Sequence, residues 1–241
     1  IMPLPKISTP TYELVLPSTD KTIQYRPFLV REEKLLVLAL ESEDTKQITT
    51  AIKAVIKACI LTKGVKVEAL PTFDIEYLFL NIRGKSVGEE LDVNIICPDD
   101  EKTYVPTKIY IDDIHVIKDE KHTKEIKLDD TISMVMKYPS LDEFINQNFD
   151  FDDKSSNLNQ SFELIGSCID TIVQGEEAWS TKDCSKKEVM EFLDQMNSAQ
   201  FKLLEGFFET MPKLSHEVEV TNPKTGVKST VVLEGLSSFF G

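Results

Sequence analysis

The sequence predicts an α+β fold: an N-terminal region of mixed helices and antiparallel strands, then a C-terminal helical region that ends in a β-hairpin. Three observations predict it. Apolar residues recur at helical spacing in the first third of the chain and again beyond the middle. Between these stretches, Val, Ile and Tyr alternate with polar residues, the period of a half-buried strand. The same alternation returns near the end of the chain around Asn222–Gly226, a turn-forming stretch. With 241 residues, 41% of them hydrophobic and 28% charged, the chain can build a sizeable core as one large domain or two small ones.

The first segment, "YELVLPSTDKTIQYRPFLV", reads as two strands about a turn at Ser18–Lys21. Tyr12, Leu14 and Leu16 share one face, and Ile23 and Tyr25 resume the period of two. "REEKLLVLALES" reads as a buried helix. In "TKQITTAIKAVIKACI", Ile48, Ile52, Val55, Ile56 and Cys59 fall on one helical face, with Gly64 beyond its end. A third helix is expected over "PTFDIEYLFLNIRGKSVGE", carried by Phe73, Tyr77 and Leu80 and stopped by Gly84. Leu91, Val93 and Ile95 then alternate with Asp92 and Asn94. A β meander follows, turning near Pro98–Lys102, with further strands in "KEIKLDDTISMVMKYPS". Ser140 and Glu143 have the spacing of a capping box at a helix start.

The polar, acidic stretch from Asn148 to Gln160 reads as a linker between an N-terminal α+β domain, 1–147, and a helical domain, 161–241. In that second part Phe162, Ile165, Ile169, Ile172 and Val173 form one helical stripe. Ser185 and Glu188 cap a second helix. Phe201, Leu204 and Phe208 align on a third, which Pro212 ends. The terminal hairpin places Val218 and Val220 opposite a return strand with Val227, Val231 and Leu233.

Charge narrows the partners. A formal net charge of −14 with no long Lys/Arg run argues against nucleic acid, which demands a concentrated positive surface. Anionic membrane surfaces are disfavoured for the same reason. No stretch approaches the roughly 20 apolar residues of a membrane span. The acidity reads as a source of solubility or as attraction to a basic partner. Cys59, Cys97, Cys168 and Cys184 are scattered, without the paired spacing of a zinc or redox site, and read as reduced thiols.

Chemistry-bearing patterns are absent. His115, His122 and His216 have no nucleophile elbow or tight metal spacing around them, and no phosphate-binding glycine loop occurs. The pairs Asp99/Asp100, Asp112/Asp113, Asp129/Asp130 and Asp152/Asp153 read as turn and strand-end residues. "DFDDKSSNLNQ" lacks the central glycine and terminal glutamate of a calcium loop. The sequence therefore reads as a non-enzyme with no cofactor and no metal. Candidate partner-binding residues are the adjacent Phe207 and Phe208 and the apolar ending of Leu233, Leu236, Phe239 and Phe240. That ending fits either the protein's own core or a groove on a partner.

"YELVLPSTDKTIQYRPFLVREEKLLVLALES" with "QITTAIKAVIKACI", and "FFETMPKLSHEVEV" with "VVLEGLSSFFG" at the other end, resemble the T4-type phage baseplate hub family, also described as T4-family hub assembly chaperones. The resemblance implies a non-catalytic role in assembling the central hub of a contractile tail, through contacts with other hub or tail proteins. It implies a place in the host cytoplasm during assembly or in the virion's tail baseplate, and leaves oligomerisation open. The alternatives are a permanent structural subunit of the hub and, remotely, a metal-dependent hydrolase. Some relatives carry a cysteine pair in the terminal hairpin turn. "VTNPKTGVKS" has none, so that hairpin is expected to rely on cross-strand packing alone.

Overall fold

The computed structural model of the chain describes residues 7–141, 143 and 158–240, and the side chains of all of these except 45, 158–160, 237 and 240. Two compact units are drawn by strand pairing rather than by chain order. One takes the chain up to Val67, Phe73–Ile117 and Lys213 onward. The second takes Glu68–Thr72 and Lys118–Pro212.

The first unit opens with the antiparallel hairpin β1 (Tyr12–Val15) and β2 (Thr22–Tyr25), in which Leu14 faces Ile23. Helices α1 (Val30–Glu41) and α2 (Thr45–Cys59) follow and pack on each other. Asp44 caps α2 by accepting the Lys46 N–H at 2.8 Å. Helix α3 (Thr72–Val87) buries Phe73, Ile75, Leu78, Leu80 and Ile82, so apolar groups surround it on more than one side. Gly84 does not stop this helix. It sits inside it, where an added Cβ would lie 2.8 Å from Ile111 Cδ1, so the missing side chain permits close packing. The helix ends before Gly88, whose φ of +137° suits glycine alone.

Strands β3 (Glu90–Ile96) and β4 (Tyr104–Tyr110) form an antiparallel pair, and β3 alternates strictly between exposed and buried residues. Strand β5 (His115–Ile117) pairs not with these but with β10 (Lys213–Thr221). That strand in turn pairs with β11 (Lys228–Glu234) to make the sheet β11-β10-β5. Leu80, Leu91, Ile95, Ile109, Leu214 and Val218 fill the core of this unit.

The second unit holds a four-stranded antiparallel sheet in the order β6-β7-β8-β9. Its strands are β6 (Glu125–Lys127), β7 (Ile132–Met136), β8 (Ile169–Gln174) and β9 (Glu177–Ser180). Helices α4 (Leu158–Ser167), α5 (Lys186–Leu193) and α6 (Ser198–Thr210) accompany it. Met134, Met136, Leu164, Ile169, Leu193 and Leu204 lie in its core.

The single helix expected from Phe162 to Val173 is replaced by α4 and then β8. Thr171, Ile172 and Val173 are β-branched, and β8 finds partners on both sides, pairing Met134 with Ile172 and Ile172 with Trp179. Residues 148–157, within the expected linker, lie outside the described residues, and Leu158–Gln160 begin α4. The Ser140–Glu143 capping box forms, with the Ser140 N–H donating to Glu143 at 2.8 Å, while the residues after it lie outside the description.

Two turns show why the acidic pairs occur where they do. Asp100 accepts N–H bonds from Lys102 and Thr103, and Asp129 does the same for Thr131 and Ile132. The terminal hairpin has more than cross-strand packing to hold it. Asn222 Nδ2 donates to Asp99 at 3.0 Å and the Thr225 hydroxyl donates at 2.6 Å, which ties the β10–β11 turn to the β3–β4 turn. Those two hydrogen bonds hold the Asp99 carboxyl below its usual range.

Candidate docking surface

The six residues singled out in the sequence lie in different settings. Phe207, on α6, is 2% exposed and stands in the core of the second unit. Its ring centroid is 5.1 Å from His122 and 5.7 Å from Tyr138. The Thr210 hydroxyl donates to the Gly206 carbonyl, so His122 Nδ1 donates to Thr210 at 2.9 Å, and Nε2 and the Tyr138 hydroxyl share a hydrogen bond at 3.1 Å. Burial, followed by the nearby Lys124, lowers the pKa of this imidazole. Phe208 is half-buried and meets Phe207 edge-on at 5.2 Å.

The apolar ending folds back on the first unit. Gly235, at φ +70°, turns the chain, and its N–H reaches the Leu214 carbonyl at 2.9 Å. The Leu236 N–H donates to the Glu76 carboxylate at 3.0 Å. Leu233 and Leu236 are half-buried, and Phe239, on the short helix α7 (Ser237–Phe240), is 2% exposed in the core of that unit. The Phe240 side chain lies outside the described residues. Burial beneath this turn pushes the Glu76 carboxyl up to about 7, against the pull of the Leu236 N–H.

The surface that sequence reasoning missed is α1. Its residues "VREEKLLVLALE" include the unbroken apolar run Leu35–Leu40, and a helix with such a run is expected to be buried. It is not. Only Glu32 and Ala39 are buried, while Val30 and Leu38 are each 65% exposed and Leu40 is 60% exposed. The reason lies in an inward carboxylate. Glu32 accepts from Arg26 at 3.0 Å, from Arg31 at 2.6 Å and from the Leu29 N–H at 2.7 Å. Burial penalises its charge, but the hydrogen bonds from Arg26, Arg31 and Leu29 outweigh that cost, and its carboxyl falls to about 2. Arg26 also donates to the Ala58 carbonyl at 2.9 Å, so the network joins the end of β2, the start of α1 and the end of α2.

The core side of this hairpin is already supplied by α2, which buries Ala51, Val55, Ile56 and Cys59. Leu35, Leu38 and Leu40 of α1 are left outside. Between the helices runs a shallow groove of about 380 Å³. Leu35 and Leu38 form one wall, Lys46, Gln47 and Thr50 the other, and Ala51 lies in the floor. Its one sequence signal is that α1 lacks a continuous polar face, which a lone solvent-facing helix would have.

Among the described residues no three His, Cys, Asp or Glu side chains converge as a metal site, and no helix is long and apolar enough to cross a membrane. Exposed aliphatic residues gathered on one helix are a feature of the class of proteins that dock onto others. The family comparison narrows the class. The model described as T4 bacteriophage base plate protein matches residues 9–241, and the chain belongs to that family. No curated protein and no solved structure matches it.

Proposed function

We propose that the chain is a non-enzymatic assembly factor for the central hub of a contractile-tail baseplate, working in the host cytoplasm. It holds or positions hub subunits through protein contacts, with no cofactor. Membership of the baseplate family supports the setting, and the exposed aliphatic residues of α1 are the observation that carries the mode of action. Five exposed aliphatic residues on one short helix, Val30, Leu35, Val37, Leu38 and Leu40, are costly in water and become useful when a partner covers them.

The test pairs two measurements. Quantitative mass spectrometry of purified virions is expected to find the chain absent or far below the copy number of hub subunits. Complementation with Leu38→Glu/Leu40→Glu is expected to yield folded protein but few assembled hubs. Stoichiometric presence in mature tails would instead favour the permanent subunit. Normal hub assembly by the double variant would remove α1 from the account.

A further inference from the structure

Unpaired sheet edges invite another strand, and proteins blunt them with short strands, proline or charge. The other edge strands among the described residues follow that rule. Strands β1, β2, β5, β6 and β9 have only three or four residues, β3 carries Asp92 inside it, and β4 carries Pro106. Strand β11 does none of this. Its seven residues, "KSTVVLE", pair with β10 in unbroken register, are charged only at the two ends, and centre on the β-branched run Thr230–Val232.

The backbone phase fixes what this edge offers. The Asn222 N–H donates to the Val227 carbonyl and the Gly235 N–H to the Leu214 carbonyl, each at 2.9 Å, so both are hydrogen-bonded pairs. Such pairs alternate along an antiparallel ladder. Ser229, Val231 and Leu233 therefore address β10, and Lys228, Thr230, Val232 and Glu234 turn their N–H and C=O groups outward. Among the described residues, the one bond to these outward groups runs from the Ser238 hydroxyl to the Glu234 carbonyl at 2.6 Å. The same four residues carry exposed side chains.

Charge selects the occupant. Two copies of β11, antiparallel about a two-fold axis at Val231, oppose Lys228 to Glu234 of the second copy and Thr230 to its Val232. This register uses all four outward residues and puts opposite charges together at both ends. Glu234 already lies 3.7 Å from Lys213 of its own chain, so in the pair each carboxylate sits between two ammonium groups. Val231, packed against the core, meets its counterpart across the axis. The other carboxylates of this face, Glu217 and Glu219, stand on β10, three strand spacings or about 14 Å from those of the second copy. Each copy carries −14, a repulsion screened beyond about 8 Å at physiological salt, whereas the end pairs act in contact.

We infer that the chain self-associates through β11, joining the β10–β11 hairpins of two copies into one antiparallel sheet across a two-fold axis at Val231. The inference is independent of the role given to α1.

Sedimentation velocity of the full chain at physiological salt is expected to show a concentration-dependent dimer. Val232→Pro removes an outward N–H that β10 does not use, so the fold should survive by circular dichroism while the dimer is lost. Lys228→Glu sets like charges against each other at both ends and should weaken dimerisation about tenfold, and adding Glu234→Lys should restore it. Val231→Cys should cross-link two copies under mild oxidation above the level of the parent chain, whereas Thr230→Cys, diagonal to its counterpart, should not. A chain that stays monomeric at concentrations on the order of 100 µM overturns the inference, leaving the edge to a strand of another protein. So does a dimer that Lys228→Glu leaves unweakened, whatever the proline variant does, since the copies then meet elsewhere or in another register. Neither result touches the hub-assembly reading, which the virion and complementation measurements judge separately.

Discussion

Helices α1 and α6 have similar lengths, 12 and 13 residues, and each carries a run of leucine or phenylalanine. They use those residues in opposite directions. Helix α6 turns Leu204 and Phe207 into the core of its unit and Lys202, Glu205 and Glu209 outward. Helix α1 turns Glu32 inward and Leu35, Leu38 and Leu40 outward. The difference does not lie in apolar content. It lies in what each helix meets on its inner side. Helix α6 meets an aromatic cluster around His122 and Tyr138, and α1 meets Arg26. A buried guanidinium must be matched by a carboxylate, and that demand outweighs the modest gain from turning one more leucine inward.

The contrast is sharpest where the largest effect is expected. Phe207→Ala removes a buried aromatic and leaves a cavity, at a cost of about 3–5 kcal/mol. Trp179, the sole tryptophan, lies on β9 of the same unit, so its fluorescence during urea unfolding reports the loss. A change under about 1 kcal/mol would show that this core collapses around the gap and that α6 is held by something else.

Glu32→Ala comes next. Breaking a buried ion pair from one side is expected to cost about 3 kcal/mol, because Arg26 is left charged and unmatched. Faster hydrogen exchange along α1 would report it. The Arg26→Met/Glu32→Leu double variant should recover much of the loss. Acid gives an independent check. The folded carboxyl of Glu32 lies near 2, below its ordinary 4.5, so its contribution is complete above about pH 4.5 and is lost as pH falls toward 2. Retention of α1 protection through that range would assign its anchoring to apolar contacts after all.

A smaller effect of the opposite sign is expected at Glu76. Its folded carboxyl lies near 7, above the ordinary 4.5, so the folded state holds a proton that the unfolded state has released. The first unit should therefore lose stability as pH rises from 4.5 to 7. Glu76→Gln keeps an oxygen for the Leu236 N–H and removes the charge. Melting temperatures across this range should flatten in the variant. A slope that persists unchanged would place the titrating group elsewhere.

These contrasts also mark how far the sequence could be read. Alternation in β3 and in the β10–β11 hairpin, the face of α2 and the cap at Ser185 are local patterns, and local patterns survive into the structure. The features that escaped are those decided by distant partners. Ile169 to Val173 fits a helical stripe as well as a strand until β7 and β9 are seen on either side of it. The Asp99 clasp joins residues 123 apart in the chain. Apolar composition made α1 look buried, and only the pairing of Glu32 with Arg26 shows which way it faces. The docking surface was illegible for the same reason: exposure is a property of what does not cover a residue.

The smallest expected effect is the one that separates the two helices most cleanly. Leu38→Lys places a charge on a residue that is already 65% exposed. It creates no cavity and strands no buried group, so stability should move by less than about 0.5 kcal/mol. Long side chains with high helix propensity are interchangeable at such a site. The equivalent change at Leu204, fully buried on α6, would bury an unpaired ammonium and unfold its unit. If Leu38→Lys leaves urea unfolding unchanged yet prevents hub assembly, the outward leucine serves a partner rather than the fold. If it unfolds the first unit, α1 is covered within the chain in solution, and its leucines serve the fold as Leu204 of α6 does.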